Sequence, residues 1–99
     1  MTEKEYQAEV IAWLREQGFK VHACGVAKFC DGKGFPDLLA VHPKLGYFFA
    51  ELKMHSMSKV SPEQTTWGHI LQAAGMPYFR WTLADWESRR VHADLGLPK

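Results

Sequence analysis

Two short apolar runs joined by a turn, each carrying charge at the same end, constrain this chain more than any other feature. Asp37-Leu38-Leu39-Ala40-Val41 reads as one strand, His42-Pro43-Lys44-Leu45-Gly46 as a turn, and Tyr47-Phe48-Phe49-Ala50-Glu51-Leu52-Lys53 as the returning strand of a β-hairpin. A hairpin buried by helices should be apolar inside, yet this one opens on Asp37 and closes on Glu51 and Lys53. Strand side chains alternate between faces, so Glu51 and Lys53 point one way and Leu52 the other, and antiparallel pairing brings Asp37 beside them. Three ionisable groups therefore meet at one end of the sheet.

The flanking sequence supplies the rest of an α/β layer. Tyr6, Val10, Trp13, Leu14 and Gln17 fall at helical spacing between charged residues, with Thr2 as N-cap, Glu3 and Glu5 in the first turn and Gly18 as the stop. Phe19 to Ala23 alternates as a strand, and Gly25 to Gly34 reads as a loop. After a polar loop from Met54 to Val60, Ser61-Pro62-Glu63-Gln64 starts a helix, with Ser as N-cap, Pro at the first position and Gln at the reciprocal capping position. Trp67, Ile70, Leu71 and Ala74 form that helix's apolar side; Gly75 ends it, Pro77 to Trp81 is a strand, and a last helix runs from Thr82 or Leu83 to His92. The expected order is αβββαβα, a mixed central sheet flanked by helices in one domain over residues 1–99.

Phosphodiester hydrolysis needs a hard divalent cation held by carboxylates, and a group that orients or deprotonates water and stabilises developing charge. Asp37 and Glu51 suit the cation, the backbone carbonyl of Leu52 can add a third oxygen, and Lys53 suits the second task. Glu-x-Lys alone is common on a strand with one wet face. Here Gly-x-Pro-Asp precedes it, with the Asp fourteen residues before the Glu, and the Ser-Pro-Glu-Gln helix start follows.

Together, Gly34-Phe35-Pro36-Asp37, Glu51-Leu52-Lys53 and Pro62-Glu63-Gln64 resemble the PD-(D/E)XK nucleases, in particular the virus-type VRR-NUC branch, over nearly the whole chain. The resemblance implies a restriction-endonuclease-like core and a Mg²⁺- or Mn²⁺-dependent phosphodiesterase acting on DNA. It further implies a stand-alone phage or bacterial protein, a homodimer, and a structure-selective junction or flap nuclease of replication, repair or recombination. By that resemblance Asp37 and Glu51 are metal ligands, Lys53 is the catalytic lysine, Gln64 approaches from its helix, and an acid of the opening helix joins them. Glu3 is favoured for that acid, with Glu5 and Glu9 as alternatives.

Other readings are weaker. Gln64 is explained structurally by its capping box, and the acids of the first helix by ordinary exposure. His22, Cys24 and Cys30, with His42 or His55, lack the paired spacing of a zinc site, and two cysteines give no disulfide framework. Trp13, Trp67, Trp81 and Trp86 sit where packing accounts for them better than base stacking. Lys33, Lys59 and His22 are the candidate contacts to a nucleic-acid backbone, with Lys28, Lys44 and His55 as further loop cations.

A net charge of +1 over 99 residues, with 23% charged, excludes a strongly basic coating protein, so any nucleic-acid surface must be local. No apolar run approaches the ~20 residues that span a bilayer, and Met-Thr-Glu-Lys-Glu does not open like a signal peptide. The expectation is a cytoplasmic protein without membrane partner or organic cofactor. The competing functions are a non-catalytic nucleic-acid-binding module of the same fold and an RNA-directed nuclease.

Overall fold

A computed structural model describes residues 1–23 and 34–97. The elements run α1 (Glu3–Glu16), β1 (Lys20–Ala23), β2 (Leu38–His42), β3 (Gly46–Lys53), α2 (Pro62–Ala73), β4 (Tyr78–Thr82), α3 (Leu83–Glu87) and α4 (Arg90–Asp94). The expected order holds, with the closing helix divided in two. Arg89 takes the left-handed conformation at φ 69°, interrupting the single helix expected to His92. The chain thereby changes direction before Val91 and His92, both buried. The loop expected from Gly25, with Cys24, Lys28, Cys30 and Lys33, lies outside the described residues up to Lys33.

The four strands lie in chain order in one sheet. β1–β2 and β2–β3 are antiparallel, with Leu38 opposite Ala50 and Ala40 opposite Phe48; β4 runs parallel to β3, with Glu51 beside Arg80 and Leu52 beside Trp81. A parallel neighbour cannot be reached by a tight turn, and α2 provides the crossover. The β2–β3 turn is tied by His42, whose Nδ1 accepts from the backbone N–H groups of Lys44 at 3.0 Å and Leu45 at 3.1 Å. That nitrogen is thereby engaged in holding the turn.

Alternation gives the sheet two different faces. Val21, Leu38, Ala40, Phe48, Ala50, Leu52 and Trp81 pack with Tyr6, Val10 and Leu14 of α1 and Val91 of α4 into one core. Tyr6, fully buried, donates from its hydroxyl to the Trp81 carbonyl at 3.0 Å, satisfying the one polar atom it brings inside. Trp81 is buried outright, while Trp13, Trp67 and Trp86 are half-buried, and Trp13 and Trp86 pack edge to face at 5.7 Å. Among the described residues, no helix is long and apolar enough to cross a membrane.

The opposite face carries Phe49, Glu51 and Lys53 of β3 with Tyr78 and Arg80 of β4, and α2 lies over it. The ring of Phe35 stands edge-on to Phe49 and Trp67, at 5.9 and 5.0 Å, so the segment before β2 is wedged between sheet and helix. Gly34 makes that wedge possible. Its φ is +80°, and a β-carbon there would lie 2.4 Å from the Glu63 carbonyl carbon and 2.5 Å from the Gln64 nitrogen. Gly34→Ala therefore combines left-handed strain with a backbone clash, and we expect it to cost about 2 kcal/mol or more in urea denaturation, with Asp37 displaced. Wild-type stability in that variant would contradict the packing.

Candidate active site

β3 outruns β2 at one end of the sheet. The last antiparallel pair there is Leu38 with Ala50, so the N–H of Leu52 has no strand partner on that side. Asp37 Oδ2 accepts from it at 2.8 Å, continuing the ladder with a side chain. Because N–H and C=O of one strand residue point to the same edge, the Leu52 carbonyl is turned the same way.

Glu51 is 2% exposed and lies on the α2 face. Its Oε1 accepts from Gln64 Nε2 at 2.8 Å and stands 3.9 Å from Lys53 Nζ. Gln64 Oε1 in turn accepts from Lys53 Nζ at 3.1 Å and from the Ser61 backbone N–H at 3.1 Å. Lys53 also donates to the carbonyl of Lys59 at 3.4 Å. The network fixes the Gln64 amide, since its nitrogen meets a carboxylate and its oxygen meets two donors. One side chain thus closes the first turn of α2 and ties Glu51 to Lys53.

The remaining oxygen, Glu51 Oε2, is buried and has no hydrogen-bond partner among the described residues. Burial first, then the charge of Asp37, pushes the Glu51 carboxyl up to about 8, against the opposing pull of Lys53 and Arg80. Burial also raises Asp37, despite the hydrogen bond from Leu52 and the charge of Lys53. Two carboxyls within reach of one proton cannot both ionise cheaply. The pair is set for a positive charge that Lys53, already shared with Gln64 and Lys59, does not fully provide.

Of the opening-helix acids, Glu5 is held in the α1 capping box with Thr2, and Glu9 accepts from Trp86 Nε1 at 3.1 Å on the other side of the sheet. Glu3 accepts only a long 3.5 Å bond from Gln7, and its charge is felt by Asp37. Of the three, Glu3 is the one whose charge acts on Asp37. Lys59 reaches the cluster through its backbone carbonyl, its side chain being in an exposed residue, while His22 stands on the edge strand β1, exposed and two strands from Glu51. Two neighbours escaped the sequence reading. Arg80 sits beside Glu51 in register, and Tyr78, two residues earlier, is on the same face.

No protein-family model matches this chain, and no curated protein matches it. A solved structure described as a VRR_NUC domain protein is similar to it, with a TM-score of 0.63 and 23% identity over 83% of this chain and 78% of that one. The chain has a VRR-NUC fold. The restriction-endonuclease-like arrangement expected from the motifs is therefore the one observed.

Within this VRR-NUC fold the donors fit a small hard dication. Among the described residues no group of three or more His, Cys, Asp or Glu side chains gathers as a metal cluster. The protein's oxygens are then the carboxylates of Asp37 and Glu51 and the Leu52 carbonyl, a set that suits Mg²⁺ or Mn²⁺ with water or phosphate completing the shell. A cation there would neutralise the orphaned Glu51 Oε2 and the two raised carboxyls.

A pH test follows from the same carboxyl. A folded-state value above the unfolded one contributes stability at acid pH that is lost as pH rises toward about 8. In EDTA, melting temperature should fall through that range, and Glu51→Gln should flatten the fall, while Mg²⁺ should restore wild type and not the variant. A metal-free melting temperature independent of Glu51 across the range would refute the assignment.

Proposed function

We propose that this protein is a divalent-metal-dependent endonuclease that hydrolyses phosphodiester bonds in DNA. The observation that carries the reading is a half-buried Asp37 beside a buried Glu51, with Lys53 and Gln64 tied to Glu51 at one end of the sheet. Burying two like charges costs stability, so their retention together is better explained by work than by structure.

In this reading Asp37, Glu51 and the Leu52 carbonyl hold Mg²⁺ or Mn²⁺, which would neutralise phosphate charge and lower the pKa of an attacking water. Asp37 is kept in place by the Leu52 N–H, so it presents oxygen without reorganising. Gln64 holds Glu51 and Lys53 in fixed relation. Lys53, its ammonium restrained by Gln64 and Lys59, stabilises charge on the phosphate oxygens and orients the water. Glu3, at the start of α1, adds negative charge felt by Asp37.

The substrate class we favour is branched DNA, a junction or flap met in replication, repair or recombination, worked on by a homodimer. A domain of 11.3 kDa offers little surface for such a structure, and a two-fold pair can address two strands. Light scattering at working concentration should report the dimer; a monomer that cuts junctions would remove it from the proposal.

Labelled duplex, flap and four-way-junction DNA, with matched RNA, are the substrates for the decisive assay, in Mg²⁺, Mn²⁺ or EDTA. Wild type should cut DNA only with metal, and Lys53→Ala should lose roughly 10²- to 10⁴-fold in rate while keeping its fold and metal affinity. Full activity in Lys53→Ala would sink its role. Cutting confined to RNA would reassign the substrate, and a folded wild type that binds without cutting would leave a binding module.

A further inference from the structure

A helix that covers a sheet normally turns apolar residues to it, and α2 does so only along one stripe. Trp67 and Leu71 take that part, with Leu71 buried. The neighbouring stripe reads Gln64, Thr65, Gly68, His69 and Gln72, at helical spacing, and is polar throughout. It faces β4 across a groove of about 260 Å³ whose other wall is Tyr78 and Arg80. Gln64 belongs to both this groove and the carboxylate cluster, so the two adjoin at that side chain.

Arg80 is the anomaly in the groove. A Glu and an Arg side by side on adjacent strands ordinarily close into an ion pair. Glu51 instead gives its Oε1 to Gln64 and Lys53 and stays buried, while Arg80 is exposed and forms no ion pair or hydrogen bond among the described residues. The guanidinium is left lining a groove that adjoins the carboxylate cluster at Gln64. Gly68 keeps the helix low there: the Tyr78 ring lies 3.3 Å from where a β-carbon would be, so no side chain of α2 fills the space at that turn. Burial and the charges of Glu51 and Asp37 raise the Tyr78 hydroxyl, keeping it a donor at neutral pH.

Resting on the nuclease reading, we infer that the α2–β4 groove seats the nucleotide adjacent to the scissile phosphodiester, with Arg80 bound to that nucleotide's phosphate and Tyr78 and the polar stripe of α2 beside it. A strand whose scissile phosphate sits on Asp37 and Glu51 must leave the site past Gln64 on one side. The groove there offers a planar, permanently charged fork that matches a phosphate and has no ion-pair or hydrogen-bond partner among the described residues. Cationic help at this site thus comes from a strand of the sheet and not only from loop lysines.

The test is binding of labelled duplex and single-stranded DNA in Ca²⁺ across a salt series, with wild type, Arg80→Ala and Arg80→Lys, followed by KM and kcat in Mg²⁺. Arg80→Ala should weaken binding roughly tenfold at moderate salt and lower the salt slope by about one, and Arg80→Lys should keep the slope. KM should rise more than kcat falls. Wild-type affinity and slope in Arg80→Ala overturn the inference while the nuclease reading stands. So does a shifted pH profile of kcat with unchanged affinity, which would mean that Arg80 acts only on the Glu51 charge. A folded wild type that binds neither DNA overturns both.

Discussion

The end of β2 leaves the Leu52 N–H facing an edge without a strand, inside a residue that is 1% exposed. An amide abandoned there would cost about 1–3 kcal/mol. Asp37 removes that cost at 2.8 Å, and the whole site is arranged around the solution. To reach Leu52, Asp37 must enter the strand at a set height, which the buried ring of Pro36 and the left-handed turn at Gly34 determine. Gly34 in turn lies against the first turn of α2, whose Gln64 reaches back to Glu51. Backbone satisfaction and side-chain placement are thus one closed loop of contacts.

That loop explains how two carboxyls stay close without the protein rearranging to separate them. Asp37 is restrained by a backbone donor, Glu51 by an amide, and Lys53 by two acceptors, so none can swing away without leaving a partner unsatisfied. The α1 core face supplies the rigidity behind them: Leu52, between Glu51 and Lys53, is anchored among Tyr6, Val10 and Trp81. Stability from one face of the sheet offsets the unfavourable charge held on the other, a local conflict of the kind expected at functional sites.

Much of this was legible in the sequence because it rests on periods and short-range rules. Alternation placed Glu51 and Lys53 on one face, the turn brought Asp37 alongside, and the Ser61–Gln64 spacing announced the capping box. What alternation does not encode is which strand lies on the other side of β3. Arg80 read as an ordinary residue among aromatics until the parallel register set it beside Glu51; its one available signal was an arginine inside the apolar run Tyr78-Phe79-Arg80-Trp81. Glu3, Glu5 and Glu9 were hard to tell apart for a similar reason, since all three are exposed helix acids and only their partners differ. The break at Arg89 was hidden because no Gly or Pro marks it.

The first turn of α2 is where structure and chemistry are hardest to separate. Gln64 accepts the Ser61 N–H, a helix-forming contact, with the same oxygen that receives Lys53, while its nitrogen holds Glu51. Fraying of that turn would therefore release the carboxylate and the ammonium together, and anything that tightens it would order both. The same helix then turns its polar stripe to β4 and its apolar stripe to Phe35, so its rotation about its own axis is fixed from two sides. A helix held that way positions the site and the groove beside it as one rigid unit, and the distance between them is set by packing and not by loop conformation.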